Sequence, residues 1–273
     1  MSLANIGPVV LAGAGKMGLA LARGWLAAGL KPGSFVLVDP NPGEHTISFA
    51  VKNGVQLMPT AQGVDAQVLV LAVKPQIIGE VMAQLRPLMT ADTLVLSIAA
   101  GISIAAIAKG LGTERIVRTM PNTPAQVGKG ISGAVAGASV GSEDRQTAEA
   151  LLKAAGQVAW FEDEGAIDAV TAVSGSGPAY VFNLVEALAA AGVKQGLPAE
   201  QAMQLARQTI VGAAYLLEAE PGVPASTLRE NVTSPKGTTA AALEVLMGAD
   251  GLGPLMDRAV AAARKRSEEL GRG

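Results

Sequence analysis

Through residue 161 the chain alternates short β-branched runs with longer stretches in which apolar positions recur every three or four residues. This alternation predicts strands over 8–12, 35–38, 68–73, 93–98, 116–119, 131–136 and 157–161, and helices over 17–28, 75–88 and 143–155. Val-Leu-Val-Leu-Ala-Val at 68–73 has no polar alternate, so both of its faces are expected to be buried, as in a doubly wound parallel sheet covered by helices on either side. After Glu162-Asp163-Glu164 the period becomes helical only, over 179–195, 198–218, 224–231, 239–247 and 253–270. The expected organisation is an α/β domain over 1–162 followed by an all-α domain over 163–273. The helical stretches 184–191 and 208–217 are too apolar for one exposed face, which predicts burial against a second copy of the chain.

Composition narrows the chemistry. Only 3% of the 273 residues are aromatic while 33 are glycine, so the core must come from Ala, Val and Leu and from close backbone contacts. A net charge of -2 offers no basic surface to nucleic acid or to an anionic membrane. With no cysteine there is no disulfide, thiolate zinc site, iron–sulfur cluster or thiol nucleophile, and the single histidine, His45, leaves no metal site to expect. The longest uncharged stretches, 93–108 and 169–185, are short and interrupted by glycine, which argues against a spanning helix, and the N-terminal pattern is unlike a secretory signal. A cytoplasmic protein acting on a small molecule is the expectation.

Gly13-Ala14-Gly15-Lys16-Met17-Gly18 directly follows the first strand and opens an apolar helix, the context in which a GxGxxG loop binds a dinucleotide. Gly13 allows the tight turn, Gly15 lets the backbone approach a pyrophosphate, Gly18 lets helix and strand pack closely, and the phosphate charge meets the N–H groups of Lys16 and Met17 at the helix start. The first domain is therefore read as Rossmann-like. Asp39, roughly 20 residues beyond the loop, ends the second strand where an acid accepts hydrogen bonds from ribose hydroxyls and repels a 2′-phosphate, so NADH is favoured over NADPH. As an alternative, Asp39 caps the turn Asp39-Pro40-Asn41-Pro42-Gly43. Three further loops end strands at Val73-Lys74-Pro75, Ala99-Ala100-Gly101 and Met120-Pro121-Asn122-Thr123-Pro124, and are expected to line the same crevice.

Ala-Val-Lys-Pro at 72–75, Met-Pro-Asn-Thr-Pro at 120–124, Ser-Gly-Ser-Gly-Pro-Ala-Tyr at 174–180 and Val-Thr-Ser-Pro-Lys-Gly-Thr-Thr at 232–239 occur in an order and combination that resembles pyrroline-5-carboxylate reductase over nearly the whole chain. The resemblance implies a helical domain that dimerises by interlocking and reduction of a cyclic imine to L-proline by NADPH or NADH. It places Val73, Lys74 and Ala100 near the cofactor, with Pro75 and Asn122 in the same crevice, and Glu164, Asn231, Ser234, Gly237, Thr238 and Thr239 near the substrate. Thr239 is the residue to hydrogen-bond the imine nitrogen, with Thr238 as the alternative. Two positions depart from the family's habit: Lys236 stands where a small residue or Asn is usual, and Asp39 where members that favour NADPH carry a small polar side chain. A protonated imine is already electrophilic, so one hydroxyl and exclusion of water suffice without a histidine. A β-hydroxyacid dehydrogenase would need a helix lysine, and none occurs between Lys153 and Lys194; a non-catalytic dinucleotide sensor would not need Asn231 and Thr239.

Overall fold

The computed structural model describes residues 2–272. The apolar runs form the middle of an eight-stranded sheet: β1 (Val9–Ala12), β2 (Phe35–Val38), β3 (Gln56–Met58), β4 (Val68–Leu71), β5 (Leu94–Ser97), β6 (Ile116–Met120), β7 (Gly130–Ala136) and β8 (Gly156–Phe161), in the order β3-β2-β1-β4-β5-β6-β7-β8. Every residue of β1, β2, β4 and β5 is buried, because successive side chains enter two different cores. Val9, Leu11, Val68, Val70, Leu94 and Leu96 join Trp25 of α1 (Lys16–Ala27) and Leu151 of α5 (Ser142–Lys153). Their neighbours Val10, Leu69, Leu71 and Val95 join Met82 and Leu85 of α3 (Ile78–Leu85) and Ile107 and Leu111 of α4 (Ile104–Leu111). Each such buried side chain contributes ~1.5–3 kcal/mol. The Trp25 indole N–H donates to the Leu151 carbonyl at 2.9 Å, and a Cβ on Gly24 would strike the Ala154 carbonyl oxygen, so α1 and α5 meet backbone to backbone.

Several elements differ from expectation. The sheet is parallel from β3 through β6, but β7 runs antiparallel to β6, with Met120 opposite Gly133, and β8 is parallel to β7. The link from β6 to β7 is mostly the 3-10 turn Thr123–Val127, too short for the crossover of about a dozen residues that a parallel neighbour requires. The helix expected over 75–88 is α3 flanked by 3-10 turns at Pro75–Ile77 and Arg86–Leu88, since Pro87 lacks the N–H that would continue the ladder. Helix α2 (Glu44–Asn53), α4 and the edge strand β3 were not expected. His45 lies exposed in the first turn of α2.

Beyond β8, α6 (Ala166–Val170) and a π-helical turn (Thr171–Gly175) stay with the sheet, where Ile167 packs with Met120 and Val135. By compactness the chain divides into Met1–Ser176 with Ala263–Gly273, and Gly177–Ala262. In the first unit the closing residues return to the sheet: Ser267 Oγ donates to Asp168 Oδ1 at 2.6 Å, and Gly101, at φ 74, leaves room for the Leu270 carbonyl. The helical elements that follow the π turn are α7 (Gly177–Lys194), α8 (Ala199–Ala219), α9 (Ala225–Asn231), α10 (Thr238–Leu246) and α11 (Leu252–Arg272). Helices α7 and α8 form a hairpin turned at Gly196, φ 96, and approach closely where Gly192 faces Ala202. No helix among the described residues is long and apolar enough to cross a membrane.

Candidate active site

The loop after β1 has the geometry its glycines predict. Gly13 adopts φ 94, and a Cβ there would lie 2.7 Å from the Ala72 carbonyl oxygen and 2.8 Å from Val73 Cγ1, so β4 closes down on the turn. A Cβ on Gly18 would collide with the Gly13 carbonyl oxygen, which is how α1 can start directly over the loop. Gly15 differs: it is exposed, and no atom lies within 4 Å of the place a Cβ would take. Gly15 is also the N-cap of α1 and provides no side-chain cap. An open backbone at an uncapped helix start, free of any acid in the first turn, fits the pyrophosphate of a dinucleotide. Lys16 is exposed and Met17 half-buried at this edge.

The surrounding residues come from the carboxyl ends of adjacent strands. Asp39 follows β2; its Oδ1 accepts from the Asn41 N–H at 3.0 Å and its Oδ2 from the Ala14 N–H at 3.4 Å, so the carboxylate holds both its own turn and the Gly loop. Thr46 of α2, which sequence reasoning missed, donates its hydroxyl to the Ala14 carbonyl at 2.9 Å. Val73, Lys74 and Pro75 follow β4, with Lys74 and Pro75 exposed at the start of a 3-10 turn, and Ala100 is exposed after β5. Asn122, after β6, is buried and committed to the fold: its Nδ2 donates to the Ser174 carbonyl at 3.1 Å and its Oδ1 accepts from the Ile131 N–H at 2.9 Å. Glu164 is likewise engaged, its Oε1 accepting from Arg118 Nη1 at 2.6 Å and from the Ile104 N–H at 2.8 Å. It joins β6 to the start of α4, a role that its place in an acidic cluster did not announce.

In the helical unit Asn231 ends α9 and is exposed. Ser234-Pro235-Lys236-Gly237 is a turn closed by the Gly237 N–H donating to the Ser234 carbonyl at 3.0 Å, with proline at its second position and Lys236 at φ 61. Lys236 therefore occupies a left-handed conformation that glycine or asparagine adopts more readily, and a Cβ on Gly237 would strike Ser234 Oγ. The turn delivers Thr238, exposed, and Thr239, half-buried, to the first turn of α10, whose N-cap Gly237 leaves the helix start without a side-chain partner. A helix start with two hydroxyls suits a small carboxylate and a polar nitrogen. Among the described residues no group of three or more His, Asp or Glu gathers as a metal site.

A parallel-dominated sheet with an open Gly loop, followed by a helical unit, defines an NAD(P)-dependent oxidoreductase architecture. Residues 8–101 match the family model for NADP oxidoreductase coenzyme F420-dependent, and residues 164–270 that for pyrroline-5-carboxylate reductase dimerisation. The chain is 42% identical to the pyrroline-5-carboxylate reductase of Pseudomonas aeruginosa over 96% of each sequence, and 40% identical to that of Pisum sativum over 94% of each. The solved structure of a pyrroline-5-carboxylate reductase from Coxiella burnetii superposes with a TM-score of 0.90 at 36% identity, covering 97% of this chain and 99% of that one. The Plasmodium falciparum pyrroline carboxylate reductase, solved with NADP bound, gives 0.82 at 32% identity, covering 98% of each. The chain belongs to the pyrroline-5-carboxylate reductase family, and it is an NAD(P)H-dependent oxidoreductase.

Proposed function

We propose that the chain reduces 1-pyrroline-5-carboxylate to L-proline as the last step of proline biosynthesis, acting as a cytoplasmic homodimer. The reading is carried by one observation: a chain matched over 96% of its length by a pyrroline-5-carboxylate reductase keeps an open Gly15 backbone at the start of α1. The loop from Gly13 to Gly18 holds the pyrophosphate, Asp39 faces the adenosine ribose, and Val73, Lys74, Pro75 and Ala100 line the path toward the nicotinamide, with the buried Asn122 bracing the loop after β6 through Ser174 and Ile131. Bound NAD(P)H supplies the hydride that adds to the imine carbon. Thr239 hydrogen-bonds the ring nitrogen, which keeps its proton and becomes the secondary amine of proline. Ser234, Gly237 and Thr238 receive the carboxylate at the start of α10, where the helix dipole favours an anion. Asn231 joins them at the end of α9, and Glu164, in the sheet unit, holds the start of α4. Oxidation of NADH or NADPH on addition of pyrroline-5-carboxylate tests the reading; a folded, dinucleotide-binding protein with no turnover would leave the sensor alternative.

The cofactor preference follows from charge. A 2′-phosphate brought to Asp39 meets a carboxylate at close range, and Pro40-Asn41-Pro42-Gly43-Glu44 adds a second acid and no cation. NADH is therefore used at least as well as NADPH. Asp39→Ser is expected to shift the ratio of kcat/KM values toward NADPH by roughly tenfold, the equivalent of ~1.4 kcal/mol; a wild-type enzyme strongly preferring NADPH would leave Asp39 only its bonds to the turn and the Gly loop.

A further inference from the structure

Ala14 stands between the tight turn at Gly13 and the open Gly15, and it is only 2% exposed. Both of its polar backbone groups are held. Its N–H donates to Asp39 Oδ2, and its carbonyl accepts from the hydroxyl of Thr46, which is 4% exposed and whose own N–H is tied to the Gly43 carbonyl at 2.9 Å. The Ala14 carbonyl and the Gly15 N–H belong to one planar trans peptide unit, so they point in opposite directions. Holding the carbonyl inward toward α2 turns the Gly15 N–H away from α2, at a residue that is itself exposed. Glycine at 15 offers little torsional resistance to a flip of this peptide, so its orientation depends on the partner of the carbonyl.

We infer that Thr46 is a positioning residue for the dinucleotide: its hydroxyl aims the Gly15 N–H at the phosphate without itself touching the ligand. The inference rests on the dinucleotide reading above and adds to it a residue that the GxGxxG pattern does not contain. It also separates two roles on the same side of the loop. Asp39 discriminates between cofactors, whereas Thr46 acts on the part common to both.

The test uses the full-length enzyme, with fluorescence titration of NADH and NADPH alongside steady-state kinetics. Thr46→Val, nearly isosteric and lacking the hydroxyl, is expected to raise Kd for both nucleotides by the same factor, roughly three- to tenfold, with the loss appearing in KM more than in kcat. Thr46→Ser is expected to restore binding to about twofold of wild type, and His45→Ala, one residue away and exposed, to match wild type. Equal binding by Thr46→Val and wild type overturns the inference, as does a change in the NADH to NADPH ratio like that of Asp39→Ser. Should Thr46→Val melt far below wild type, Thr46→Ser against Thr46→Cys carries the same comparison, and equal affinities there overturn it. A wild-type protein that binds neither nucleotide removes the dinucleotide reading together with the inference, whereas normal wild-type binding with an indifferent Thr46→Val removes the inference alone.

Discussion

The sheet unit and the helical unit bury their apolar residues by different means. In the sheet unit β1, β2, β4 and β5 are buried on both faces by helices of the same chain. In the helical unit the buried apolar residues are only Ala189, Ala202 and Ala206, while Phe182 is 64% exposed and Tyr215 63%. A Phe or Leu left in water forgoes ~1.5–3 kcal/mol, and α7 and α8 present several. The first unit thus closes its core by itself, and the second has the surface of half an interface, as expected of a segment matching a dimerisation family.

The largest test of this contrast is Phe182→Asp, which puts a charge on the exposed apolar face of α7. Sedimentation is expected to show monomer in place of dimer, and reductase activity is expected to fall by more than about a hundredfold, as at an interface hot spot; a fully active monomer would show the helical unit self-sufficient. Thr239→Ala comes next. Loss of the imine hydrogen bond is expected to cost ~1–3 kcal/mol, on the order of ten- to a hundredfold in kcat, with nucleotide affinity unchanged and Thr238→Ala milder. If Thr238→Ala is the worse of the two, the partner of the ring nitrogen is Thr238.

Within the sheet unit the expected effects are on stability. Asp144 accepts from the Gly141 N–H at 3.1 Å and from Arg115 Nε at 3.2 Å and Nη2 at 2.6 Å, and its hydrogen bonds hold the Arg115 guanidinium above its ordinary pKa. Asp144→Ala is expected to cost ~1–3 kcal/mol in denaturant unfolding and to leave the dimer intact. The smallest effect belongs to Glu149, whose carboxyl the Lys153 ammonium holds below the ordinary 4.5. A carboxyl with a depressed folded pKa stabilises above its unfolded pKa and loses that contribution as pH falls through the folded value. Glu149→Gln is therefore expected to lower stability by ~0.3–0.5 kcal/mol at pH 7, with the difference from wild type vanishing in acid below that range.

The parts of the fold that were legible in sequence are those where local pattern and burial agree. The four fully buried strands and the Gly loop are of this kind, as are the long helices α7, α8 and α11. Helix α4 carried readable signals that went unused: Ser103 caps it by accepting from the Ala106 N–H at 3.1 Å, and Gly112 stops it at φ 75. Helix α2 was hidden by the turn sequence in front of it, which ends on an N-cap glycine without a side-chain cap. The tasks of Asn122 and Glu164 were not legible, because the groups they bind, the Ser174 carbonyl and Arg118, lie far away along the chain.

By itself the sequence determined the alternation of strands and helices, the dinucleotide loop, the exclusion of thiol chemistry and the family, because each depends on residue type at short spacing. Tertiary structure alone decided the reversal of β7, the return of Ser267 to Asp168 and the grip of Thr46 on Ala14. Such contacts depend on where the backbone arrives in space, and residues as far apart as Ala14 and Thr46 share a hydrogen bond only after β2 and α2 have packed beside the loop.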